Sequence, residues 1–193
     1  PFPLDQFRGE NVDRVEMLTL RPPLVTEQDA NNYLARLALL DDRMEQSIAE
    51  AKRLAAKKMI PPRFIVEATL KSMRTFSDAP PRQNPLVTVL AEKTAAIDGI
   101  APAAREKMQR QAVSLVEKEV YPWWQRAIRL LDSILTQSTN DAGLWRLEGG
   151  DRAYAYALER FTTTTMTPEE IHNVGLKQVA AIEAQMDKIL RGL

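Results

Sequence analysis

Residues 161–186, FTTTTMTPEEIHNVGLKQVAAIEAQM, hold the strongest local signals in the chain, and they read as helix. Thr167 is a good N-cap, and Pro168 takes the first helical position, where its missing N–H costs nothing. Glu170, three residues after the cap, completes a capping box, and Glu169 and Glu170 suit the positive end of the helix dipole. Met166 and Ile171 flank the cap as a hydrophobic staple. From Gly175 the apolar positions recur as Val179, Ile182, Met186, Ile189 and Leu193, a heptad spacing along one face. Nothing in this helix is an evident catalytic group.

Upstream the same period recurs. Thr26 caps a helix expected over residues 27–57, with Tyr33, Leu37, Leu40, Met44, Ile48, Ala51 and Leu54 or Ala55 as its buried stripe. Pro61 and Pro62 stop it and open a helix through Phe64, Val66, Leu70, Met73 and Phe76. After a loop at 78–82 (DAPPR), Asn84-Pro85 starts a short helix that ends at Asp98-Gly99. Pro102 begins a second long helix, reaching residue 137, with a stripe of Met108, Ala112, Leu115, Ile128, Leu131 and Leu135. Tyr121-Pro122 is expected to kink it rather than divide it. Residues 137–143 are loop-like, and Gly149-Gly150-Asp151 starts a short helix bearing Tyr154, Leu158 and Phe161. The first two dozen residues, rich in proline, read as an extended arm or irregular loop.

No strand pattern of any length is present, so the expected fold class is all-α: an elongated bundle of about six helices with an irregular N-terminal arm. The two long helices would measure roughly 46 and 54 Å at 1.5 Å per residue. A compact globule of this chain length is about 40 Å across. The helices overrun it, which suggests an elongated bundle or one wall of a larger helical body.

Composition narrows the function. The 193 residues are 45% hydrophobic and 27% charged, an ordinary soluble-globule balance. A formal net charge of zero argues against a bulk electrostatic grip on nucleic acid or an anionic membrane. The absence of cysteine excludes disulfides and thiol chemistry. No run reaches the ~20 apolar residues of a membrane span. The chain opens on Pro1 without a signal peptide, so its start is expected to be processed or trimmed.

Candidate chemical groups are few. His172 is the only histidine, whereas zinc normally needs three or four His, Cys or carboxylate ligands, and no His-Glu-x-x-His motif occurs. A lone histidine in the second helical turn reads as structural or surface, with a substrate-contacting role as the sharper alternative. Thr162, Thr163, Thr164 and Thr165 offer hydroxyls near a helix N-terminus, where anions are favoured; the plainer reading is a β-prone linker satisfying loose backbone ends. Tyr121, Trp123 and Trp124, with Trp145 further on, are the aromatic concentration, suited to a peptide-binding wall or, at helical spacing, to core. Carboxylates mostly neighbour Lys or Arg, as in Arg105-Glu106-Lys107 and Glu117-Lys118-Glu119, which are solvated faces. No phosphate loop, activated serine or Cys–His pair is found. By its own residues this chain offers no catalytic, cofactor-binding or metal-binding set.

The stretch 161–186 also resembles a segment of a bacterial family, domain of unknown function eight-eight-five. Residues 4–9 (LDQFRG), 33–37 (YLARL) with Asp29-Ala30 upstream, 60–67 (IPPRFIVE) and 143–145 (GLW) resemble the same family in the same order, so the likeness spans essentially the whole chain. Members look like relatives of gluzincin-type zinc peptidases whose metal motif, a His-Glu pair followed by Gly-His, lies downstream of the matching segment. The resemblance therefore implies that residues 1–193 are one helical region, the N-terminal, cleft-forming part of a larger metallopeptidase-like hydrolase. It implies zinc in the full-length parent and none in this chain. Its partners would be the remainder of its own polypeptide or a second copy, with a peptide-like substrate, and its location that of a periplasmic or exported lipoprotein. The competing reading is a stand-alone α-helical interaction or sensor module without catalytic activity.

Overall fold

The computed structural model describes residues 2–192, which among them contain helices and no strand. Nine α-helices follow in order: α1 Glu10–Leu20, α2 Glu27–Leu37, α3 Leu40–Ala56, α4 Arg63–Asp78, α5 Pro85–Ala95, α6 Pro102–Leu115, α7 Tyr121–Leu135, α8 Gly150–Thr162 and α9 Pro168–Leu190. The chain divides into two compact units, one up to Asp141 and one from Ala142. The all-α class expected from the apolar periodicity is the class observed.

In the first unit α7 packs on α3 and α4, α6 on α2 and α5, and α1 on α3 and α5. The apolar stripes meet in one core, with Leu37, Val66, Leu86, Ala112, Val116 and Leu131 fully or almost fully buried. Removing a side chain such as Leu37 would cost about 2–5 kcal/mol, because a close-packed interior collapses only partly around the void. Two hydrogen bonds close loops onto helix ends. The Arg63 N–H, otherwise unpaired in the first turn of α4, donates to the Thr139 carbonyl at 2.7 Å. Asn84 caps α5, its side-chain oxygen accepting from the Leu86 N–H at 3.0 Å.

Two features depart from the sequence reading. The N-terminal arm is not irregular throughout, since α1 occupies eleven of its residues. Asn11, Val15 and Leu18 share the inward face at helical spacing, and a polar residue at the first position conceals that pattern. Asn11 is buried because it reproduces a backbone partner: its amide donates to the Asp5 carbonyl at 3.0 Å and its oxygen accepts the Asp5 N–H at 3.1 Å. Gly9 permits the approach, for a Cβ there would lie 2.2 Å from the Asp5 nitrogen. An Arg14–Glu10 ion pair adds a further brace along the helix.

The helix expected over 27–57 is two helices, broken at Ala38-Leu39. Its stripe is continuous nonetheless, with Tyr33, Leu37, Leu40, Met44, Ile48, Ala51 and Leu54 all buried. The break lies in the apolar run LALL, where Leu39 is turned out to solvent while Leu37 and Leu40 stay inside. Asp41 and Asp42 then stand in the first turn of α3, on the favourable side of its dipole. In α4 Val66, Leu70 and Met73 are buried, and Phe64 near its start is half exposed.

Between α6 and α7 the helix continues through a π-helical turn, Val116–Val120, in which the Tyr121 N–H reaches back to the Val116 carbonyl. This is the form the disturbance at Pro122 takes: proline has no N–H to donate and crowds the carbonyl four residues back, and a wider turn relieves both. It also answers the sequence. Met108, Ala112, Val116, Val120, Trp124 and Ile128 are buried at unbroken four-residue spacing. In a plain α-helix each such step overshoots by about 40°, so the stripe would wander off the core. The extra residue in the π turn brings it back.

Candidate functional site

In the unit from Ala142, α8 opens after Gly149, whose φ of 72° lies in the left-handed region that glycine enters freely. It closes at Thr163, which takes the same region at φ 56° and returns its N–H to the Glu159 carbonyl. This αL ending is usually glycine's, and a β-branched residue adopts it under strain. The threonine run is therefore not an extended linker: Thr162 ends a helix and Thr163 is its left-handed cap. Its hydroxyls bond within the segment. Thr162 donates to the Leu158 carbonyl at 2.8 Å and lies 3.0 Å from the Thr164 hydroxyl, and Thr163 donates to the Thr162 carbonyl at 2.7 Å. Arg152, Tyr156, Glu159, Thr164, Thr165 and Met166 border a surface groove of ≈ 450 Å³ beside them.

The start of α9 is as the sequence indicates. Glu170 donates its N–H to the Thr167 hydroxyl at 3.2 Å, and its carboxylate accepts the Thr167 N–H at 2.7 Å. That backbone bond, with the threonine hydroxyl, holds the Glu170 carboxyl below the usual range. The same box stands at α2, where the Thr26 side chain and then the Val25 N–H lower the carboxyl of Asp29. Both acids complete capping boxes at helix starts. Along α9 the expected face of Val179, Ile182, Met186 and Ile189 is more than half exposed, and no residue of the helix is buried, while Leu193, the last position of that face, lies outside the described residues. His172 is exposed on the same helix. Among the described residues no group of three or more His, Cys, Asp or Glu is arranged to hold a metal ion.

The aromatic residues singled out by sequence go to different places. Trp124 is core, its ring 4.5 Å from that of Phe76, and Tyr121 meets Phe76 edge-on at 6.3 Å. The Tyr121 hydroxyl donates to the Ala79 carbonyl at 2.6 Å and accepts from the Asn84 amide at 3.2 Å, clamping the end of α4 to the start of α5. Trp145 lies exposed in a short 3-10 turn of the other unit. Trp123 is half-buried under the guanidinium of Arg126, 4.1 Å from its ring centroid. It forms part of a groove between α3 and α7 with Glu45, Lys52, Arg126 and Arg129. Sequence reading missed that group, because its members come from two helices far apart in the chain and each alone looks like solvated surface.

The described residues form an all-helical chain with one long amphipathic helix exposed along its length. The model of the family described as "Bacterial protein of unknown function (DUF885)" matches residues 2–193, and the chain belongs to that family. The crystal structure of "the putative lipoprotein from Colwellia psychrerythraea" is similar to it at 26% identity and a TM-score of 0.92, over 98% of this chain and 32% of that one. The chain thus spans about a third of the length of that solved relative. No curated protein matches. No helix among the described residues is long and apolar enough to cross a membrane.

Proposed function

We propose that this chain is the N-terminal, cleft-forming helical part of a zinc-dependent, metallopeptidase-like hydrolase, with the catalytic motif and its zinc in polypeptide that follows it. The observation that carries the reading is the open face of α9: Val179, Ile182, Met186 and Ile189 stand in heptad register and more than half exposed. A helix of this pattern gains stability only by burying its stripe, at roughly 25 cal/mol per Å² of apolar surface covered. A similar solved protein about three times as long supports a cover supplied from the same polypeptide. On this reading the substrate is peptide-like, and the whole protein is exported as a lipoprotein, which the name of the solved relative supports.

The test uses the full-length protein. Its zinc content after dialysis and its hydrolysis of a peptide library with and without chelator are measured together. Stoichiometric zinc and chelator-sensitive hydrolysis would support the proposal. A gene that ends at Leu193, or a full-length protein without zinc and without hydrolysis, would favour the stand-alone helical module instead.

A further inference from the structure

The groove between α3 and α7 gathers charge that the fold leaves unused. Glu45, Lys52, Trp123, Arg126 and Arg129 line a cavity of ≈ 560 Å³ together with Ile48 and Leu130. Elsewhere Arg14, Arg53, Arg63, Arg74, Arg110 and Arg191 each hold a carboxylate within 4 Å. Among the described residues, neither Glu45 nor any of the three groove cations makes such a pair. Arg126 lies instead over the Trp123 ring, its guanidinium carbon 4.1 Å from the centroid, a cation–π contact made by an exposed side chain. The charged groups are exposed, Trp123 and Leu130 are half-buried and Ile48 is buried, so a charged rim surrounds an apolar floor. Three cations against one carboxylate give this rim a positive excess in a chain of zero formal charge.

We propose that the groove binds a small amphiphilic anion, its carboxylate or phosphate head held by Arg126, Arg129 and Lys52 and its apolar body laid on Ile48 and Leu130 beside Trp123. The planar fork of an arginine suits such a head, and the contact of Arg126 with Trp123 limits the freedom that binding must remove. The volume falls within the range of small-molecule pockets, and an apolar floor with a few convergent polar groups is their common composition. A bare anion would use only the rim and a neutral alcohol only the floor. Both parts acting together distinguish this site from ordinary surface charge. The inference rests on α3 and α7 alone and does not depend on the hydrolase reading.

Trp123 is the reporter. The 193-residue chain is titrated at low ionic strength, by tryptophan fluorescence, with octanoate, octyl phosphate, octanol and inorganic phosphate, each below its aggregation limit. The Trp123→Phe variant identifies the responding ring. At least one octyl anion is expected to saturate about tenfold or more tighter than octanol or inorganic phosphate, since one charge-assisted contact is worth that factor. The better of the two anions then identifies the head group. Arg126→Gln should weaken that binding about tenfold, and Lys52→Gln, on the opposite helix, should weaken it in the same direction. Circular dichroism shows whether each variant keeps its fold. Failure of both anions to saturate, equal binding of octanol, or undiminished affinity in both folded variants would overturn the proposal.

Discussion

The phenolic hydroxyl of Tyr33 donates to the carbonyl oxygen of Leu86 at 2.8 Å, a buried bond that ties α2 to the first turn of α5. Tyr33→Phe removes the donor and leaves the carbonyl in the core short of it, which should cost about 1–2 kcal/mol in chemical denaturation. Burial pushes the Tyr33 hydroxyl well above its ordinary value. Its protonated form is therefore favoured by folding, and that contribution is complete below the unfolded value, about 10, and is lost as the pH climbs beyond it. The wild-type chain should lose stability from about pH 10 upward, and Tyr33→Phe should lose less over the same interval.

Asn11→Ala should release the N-terminal segment. It strips the Asp5 N–H and carbonyl of their partners and should destabilise the first unit by about 1–3 kcal/mol. Limited proteolysis should then cut ahead of α1 sooner than in the wild type; an unchanged cleavage rate would mean that Gly9 and the Arg14–Glu10 pair suffice to hold the segment.

Thr167→Ala should cost about 1 kcal/mol through loss of the capping box, read as faster amide exchange at the start of α9. The depressed carboxyl of Glu170 gives the same box a pH dependence. Its contribution is present above the unfolded carboxylate value, about 4.3, and is lost as the pH falls below that through the depressed value. Glu170→Gln should flatten that acid limb.

The isolated 193-residue chain should retain no stoichiometric zinc at micromolar concentration, since one histidine and no cysteine make too small a ligand set. One tightly held ion per chain after dialysis would place the metal chemistry here and not downstream.

The isolated chain should also bind a hydrophobic dye or self-associate through α9, because Val179, Ile182, Met186 and Ile189 stand more than half exposed along one face, and contiguous exposed apolar surface marks an association site. Ile182→Glu with Met186→Glu should abolish either behaviour. A strictly monomeric, dye-silent wild type seen by light scattering would favour the self-sufficient module.

Where a side chain directly dictates backbone, the sequence is a sufficient guide. Thr167 with Glu170, Thr26 with Asp29, and Asn84 with Pro85 place three helix starts, because the residue that signals the cap also makes the bond. What stays hidden depends on partners distant in the chain. Asn11 looks like loop until Asp5 folds back on it, and the break at Ala38-Leu39 falls inside an apolar run without Gly or Pro to announce it. The α3–α7 groove has no local signature at all, since Lys52 and Arg126 acquire a common cavity only when their helices cross.

The π turn bears on how relatives of this chain should align. Counting through it, Val116 to Val120 spans one residue more than a plain helical turn uses. Omit Lys118, which is exposed, and the buried positions on either side fall back into ordinary mixed three- and four-residue spacing. Pro122 would then sit in a regular helix that cannot accommodate it. The deletion is thus tolerable only in company with Pro122→Ala. A homologue without proline at that position is expected to show a one-residue gap a few positions earlier, while α6 and α7 keep the same residues turned inward.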